Sequence, residues 1–154
     1  MSTQLQAGPT VGAKAGYGAV AGLVGGAVFG MLMAMMDMLP MVGMLVGVEN
    51  AGVGFLVHLA NSAVIGVIFG LLAGGFADRI APILGAGLVY GMIWWVIGAL
   101  IAMPLWLSVT ADPEMSNMVF VVESDQWMSL MGHMIFGLVA ALVLFGFSRR
   151  IVRG

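Results

Sequence analysis

The sequence predicts an all-α integral membrane protein, a four-helix up-and-down bundle whose helices cross the bilayer. Three observations carry this. Only 8% of the 154 residues are charged while 62% are hydrophobic, against about a quarter charged in soluble domains, so there is too little polar surface to coat a water-soluble body. Four apolar stretches, about 18–48, 53–75, 83–109 and 127–147, are each long enough to cross roughly 30 Å of hydrocarbon. Finally, the charges segregate by side once four spans are drawn.

Taken in order, residues 1–16 read as a cytoplasmic tail, its first ten a short disordered stretch, and residues 17–154 as one transmembrane domain. A cleaved leader fits poorly, because the first apolar run is too long and no small-residue cleavage site closes it. That run exceeds what one crossing needs, so it is expected to tilt or project, with a kink near its far end at Pro40. The second and third spans join through a short turn holding Asp78 and Arg79. The longest connection, about 110–126, carries a Met118–Val122 apolar run expected at the interface.

Lys14, Arg79, Arg149, Arg150 and Arg153 are all the basic residues, and all fall on the side of both termini, which the positive-inside rule makes cytoplasmic. Glu49, Asp112, Glu114, Glu123 and Asp125 fall opposite. The expected location is a cell (inner) membrane. Four spans within 154 residues leave no room for a large soluble catalytic domain beside them. The absence of Cys removes disulfides, thiolate metal sites and cysteine nucleophiles. No phosphate-binding glycine loop ending in Lys, no HExxH pair and no basic nucleic-acid surface is present.

The chain also reads as two similar hairpins: Val28-Phe-Gly-Met31 recurs as Val89-Tyr-Gly-Met92, each followed by a proline, although the Gly-to-Pro distance differs by three residues. Small residues at four-residue spacing, Gly18, Gly22, Gly26 and Gly30 in the first span and Ser62, Gly66, Gly70 and Gly74 in the second, offer flat faces. Lipid tails are as apolar as Leu, so helices associate through such close backbone approach. The same faces would also clear room for a flat cofactor.

The polar residues inside the spans are the functional candidates. His58 and His133, the only histidines, begin parallel helices at similar depth in the outer half. Across a diagonal they would ligate haem b axially; side by side they would share a smaller metal ion; and each would equally serve as an interhelical hydrogen-bond donor. Asp37 is a carboxylate placed either within the first span, where it needs a proton, a partner or a wet cavity, or at the interface if that helix ends near Met36. Its natural partners are the two histidines, with Asn61 and Ser62 one turn below His58, giving a cluster for a metal ion or a proton. Met31, Met33, Met35, Met36, Met38, Met41 and Met44 crowd the first run but point all around it, which favours adaptable packing over a copper site.

Ala102-Met-Pro-Leu105, Asp112-Pro113, Trp127, Gly132-His133 and Arg149-Arg150 together give the last 65 or so residues a likeness in order and type. This part resembles the second half of the YagU-like family of small bacterial inner-membrane proteins. The resemblance implies that His133 belongs to a family pattern, and it implies no activity. The expected function is therefore a small non-enzymatic subunit of a homo-oligomer or larger membrane complex, its Asp37, His58 and His133 holding haem, a metal ion or a proton. The alternatives are an oligomeric transporter or channel for a small solute or ion, and a cofactor-free scaffold.

Overall fold

The computed structural model describes residues 9–153, with side chains through 149. The tail expected over the first residues lies outside the described residues, save that Thr10 ends it early. Its hydroxyl accepts from the Ala13 amide and caps a helix that already begins at Val11. All regular structure among the described residues is helical, and four helices are long and apolar enough to cross a membrane: Val11–Met35, Ala51–Ala73, Ile80–Thr110 and Ser124–Arg149.

The first helix, α1 (Val11–Met35), stops well short of residue 48. Asp37 takes a left-handed backbone, φ 55°, its amide donates to Ala34 O, and the Met38 amide donates to Met33 O. That pair of bonds is the Schellman closure, which satisfies the last carbonyls and turns the chain out of the helix. Pro40 then sits in the first turn of a new short helix, α2 (Leu39–Gly43), where no amide hydrogen is needed. The kink expected at Pro40 is thus a full stop three residues earlier. After a 3-10 turn (Met44–Val46) and a left-handed Gly47, Asn50 caps α3 (Ala51–Ala73) through the amides of Gly52 and Val53.

The third span is not uniform. It begins as α4 (Ile80–Trp94), widens into eight π-helical residues (Trp95–Ala102), and ends as α5 (Met103–Thr110). Pro104 lacks the amide hydrogen that would bond the Leu100 carbonyl four residues back. The Phe120 amide supplies it from the distal loop at 3.1 Å, held by a left-handed Phe120 at φ 60°. A 3-10 turn (Pro113–Met118) leads there, and the chain then enters α6 (Ser124–Arg153), where Gln126 reaches back to the Glu123 amide, half of a capping box.

The helices are arranged around the bundle in the order α3, α1, α6, α4, so α3 and α6, which run in parallel, lie across a diagonal. Along α1 and α3 the small residues meet backbone to backbone. A methyl on Gly22 would stand 2.7 Å from the Gly66 Cα, and one on Gly18 2.9 Å from the Gly70 Cα. The α4–α6 seam is built in the same way, with Gly87 against Gly137 and Ala141, and Gly91 against the His133 carbonyl. Between the hairpins, α1 and α6 close where Gly25 meets Phe136 and the Phe29 ring lies on Gly132.

The fourth seam, α3 against α4, closes only at the end that carries the termini. There the Tyr90 hydroxyl donates to the Ile65 carbonyl at 2.6 Å, and its ring packs on Phe69. Two apolar clusters result, one around Ala21, Phe69, Ile83 and Leu144, the other around Phe29, Met33, Leu39 and Phe136. Outward, Leu56, Leu72, Val89 and Leu142 are exposed, as suits helices whose surroundings are hydrocarbon.

Two outcomes check this packing. Gly22→Ala should lower the unfolding free energy in detergent by about 1–3 kcal/mol, since backbone atoms rather than flexible side chains must move. Gly16→Ala, where a methyl meets nothing within 4 Å, should be neutral or mildly stabilising through helix propensity. Asp37→Gly should raise the thermal midpoint, relieving a left-handed backbone worth about 1 kcal/mol to an L-residue, whereas Asp37→Val should lower it.

Candidate functional site

Both histidines project into the distal half of the bundle, and α1 gathers them. His58 Nε2 donates to the Gly26 carbonyl at 3.0 Å, and the neighbouring Cδ2 edge lies against Gly30. His133 Nδ1 donates to the Ser129 carbonyl one turn back on its own helix at 2.8 Å. Each ring packs edge-on against Phe29, with centroids 5.2 Å from His58 and 4.9 Å from His133. The shared depth expected from the sequence is therefore real, and Phe29 is the residue that links the two.

These bonds fix the chemistry of the pair. A carbonyl only accepts, so in the neutral ring the proton sits on Nε2 of His58 and on Nδ1 of His133. The remaining nitrogen of each ring carries a lone pair. In His133 it lies on the side of the ring away from its helix, and in His58 on the edge opposite α1.

Beside them lies a cavity of about 570 Å³. Its floor is Phe29, His58, Ser62, His133 and Phe136; Val57, Asn61 and Val64 of α3 form one wall, and Trp94, Gly98 and Ala102 of the π segment and its flanks form the other. The distal end is roofed by α2 and the following turn, pinned where the Trp106 indole donates to the Leu45 carbonyl at 2.8 Å. The proximal end is shut by the Tyr90 bond to Ile65. The cavity therefore opens sideways, through the unclosed seam between α3 and the third span. No described buried side-chain nitrogen or oxygen lacks both a partner and access.

Several expectations change here. Asp37 is exposed and acts as the helix-closing residue described above, so the Asp37, His58, His133 cluster does not form. Among the described residues no three His, Asp or Glu side chains are grouped to hold a metal ion. An axial haem pair would need both Nε2 atoms aimed at one point. The His58 Nε2 instead bonds back into α1, and Phe29 packs against both rings, so the residues present do not fit that group. Asp37 does not line the cavity between the spans. Ser62 is buried on the cavity floor beside Gly26, and Asn61 is exposed on the wall. Gly18, Gly22, Gly26, Gly66 and Gly70 lie in the α1–α3 seam, Gly30 against Phe55 and His58, and Gly74 against the Lys14 stem, so none of these lines a cofactor slot.

Sequence reasoning missed Phe29, Ser129 and the π segment. Ser129 stands four residues before His133, the spacing that brings two side chains onto one helix face. The Trp-Trp run ahead of Pro104 was the other usable signal.

No family model, curated protein or solved structure matches the chain. The site is read from its own geometry.

Filling the cavity should be tolerated by the fold. A methyl on Gly98 meets nothing within 4 Å, so Gly98→Leu should keep the thermal midpoint within a few degrees while occupying the space between the π segment and α3.

Proposed function

We propose that this chain is a small, non-enzymatic integral membrane protein that binds a largely apolar small molecule drawn sideways from the bilayer. One observation carries the reading: a cavity of about 570 Å³ between spans, apolar in its walls, with two imidazoles on its floor and a lateral opening. Ligand sites in membrane and soluble proteins alike combine mostly apolar walls with a few convergent polar groups. Polar side chains are costly within a span unless they find partners, so paired imidazoles at one depth favour a binding role. The Ser129 hydroxyl lies 3.4 Å from His133 Nδ1, but that nitrogen spends its proton on the Ser129 carbonyl and has no lone pair with which to act as a base, which is why binding is preferred to catalysis.

In this reading the protein sits in a cell membrane with both termini cytoplasmic. Lys14, Arg79 and Arg149 all belong to the proximal end, and Glu49, Asp112, Glu114, Glu123 and Asp125 to the distal end, which supports that orientation. Its working context is a homo-oligomer or a larger membrane complex, for which its exposed apolar faces leave ample surface.

Native mass spectrometry of the protein released from its own membranes tests the binding. Wild type should carry a bound small molecule of the lipid phase that Gly98→Leu loses. An identical adduct-free spectrum for both proteins, with the fold intact, overturns the reading. Orientation is tested on the cysteine-free background: single cysteines replacing the exposed Ser116 and Asp78 should react with an impermeant thiol reagent from opposite sides of the membrane, Ser116 from outside.

A further inference from the structure

We propose that the ligand of this cavity is a hydrogen-bond donor: a lipid-phase alcohol whose hydroxyl donates to the free nitrogen of one of the two imidazoles, His58 Nδ1 or His133 Nε2, in preference to the matching ketone or ether. The inference rests on the binding role proposed above and narrows it to one chemical class.

The argument begins with where each ring has committed its proton. Gly26 O and Ser129 O are acceptors only, so the bonds from His58 Nε2 at 3.0 Å and from His133 Nδ1 at 2.8 Å each consume the single N–H of a neutral imidazole. Both carbonyls lie within helices. At Gly26 the side chain that would otherwise cover the carbonyl is missing, and Ser129 O is the carbonyl one turn before His133, within reach of its ring. The tautomers are thus set by backbone geometry, before any ligand arrives. What each ring turns away from its anchoring carbonyl is a lone pair, Nδ1 of His58 and Nε2 of His133.

Two acceptors on the floor of an apolar cavity discriminate by sign. A ketone or ether oxygen brings a third lone pair and gains no bond, while its own desolvation is uncompensated. A hydroxyl brings one proton, which satisfies one of the two nitrogens. The walls fit the rest of such a molecule: Val57, Val64, Trp94 and Met103 offer hydrocarbon and aromatic contact along the route from the lateral opening. No Lys, Arg, Asp or Glu lines the cavity, so a charged headgroup would be left without a counterion. The Asn61 amide, exposed on the α3 wall, marks the rim where a second polar group of the ligand would rest.

The test uses the full-length protein in lipid nanodiscs and three probes of one chain length: an ω-bromo fatty alcohol, its methyl ether and the corresponding ω-bromo methyl ketone. Bromine quenches indole fluorescence on contact, and Trp94 and Trp106 line the cavity. The Gly98→Leu protein reports quenching from probe dissolved in the surrounding lipid. Wild type should show saturable quenching above that background, with the alcohol half-saturating at roughly threefold to tenfold lower membrane content than the ether or ketone, the range expected for one buried hydrogen bond. Nitrogen NMR of the two imidazoles gives a readout independent of binding: His58 should be protonated at Nε2 and His133 at Nδ1. Saturable quenching with equal affinity for all three probes, or tighter binding of the ketone, overturns the donor assignment and leaves the binding role standing. Quenching that never exceeds the Gly98→Leu background with any probe overturns the binding role and this inference with it. The opposite tautomer at either histidine removes the basis of the inference directly.

Discussion

The constraint on which this structure depends is how closely two helix backbones approach. Between apolar helices in lipid there is no hydrophobic gain from association, so contact must come from dispersion over matched surfaces. Gly18, Gly22 and Gly66 bring α1 and α3 into backbone contact, and Gly87, Gly91 and Gly137 do the same for α4 and α6. Small residues line both seams. A third, between α1 and α6, closes because Gly25 and Gly132 admit the rings of Phe136 and Phe29. The fourth seam has no such surface. Tyr90, Phe69 and Trp94 stand there instead, and these aromatic rings keep α3 and α4 apart beyond the Tyr90 bond to Ile65. The cavity is what remains when three sides of a four-helix ring are drawn tight and the fourth is propped open.

The irregular part of the third span belongs to the same logic. Eight π-helical residues widen the helix where it borders the opening, and Gly98, Ala99 and Ala102 keep its cavity face low. Pro104 leaves the Leu100 carbonyl without its helical donor, and the distal loop answers with the Phe120 amide. That loop is therefore fastened to the helix at its weakest point, while Trp106 fastens α2 to the other side through Leu45. Departures from α geometry at π turns are often found at functional sites. Here the departure shapes one wall of the cavity that holds the two imidazoles.

Much of the fold was legible in the residues, because span length and polarity are properties of single segments. The second and fourth spans begin within a few residues of their expected starts. The end of the first was misplaced because hydropathy continues unbroken through Met36, Met38 and Leu39, whereas the helix ends on hydrogen bonds that Asp37 closes by its backbone conformation. An aspartate there reads by composition as a buried charge and by geometry as a helix terminator. The two histidines were legible as a pair through their matching positions in parallel helices. Their separation from Asp37, and the part played by Phe29, depend on which faces of three helices meet. That is decided by small residues such as Gly30 and Gly132 beside them, not by the polar residues themselves. The protonated nitrogens were not legible at all, since each is set by a carbonyl that composition does not distinguish from any other.

Under the proposed binding role, the sideways opening has a consequence for how occupancy is controlled. A site facing water senses the dissolved concentration of its ligand, and for a strongly apolar molecule that concentration is vanishingly small. A site that opens between two spans exchanges with the hydrocarbon around it, so its degree of filling follows the mole fraction of ligand among the lipids. Search is confined to two dimensions, at a depth already matched to the imidazoles. Anything that changes the composition or lateral order of the membrane would then change how full the protein is, with no change in the protein itself.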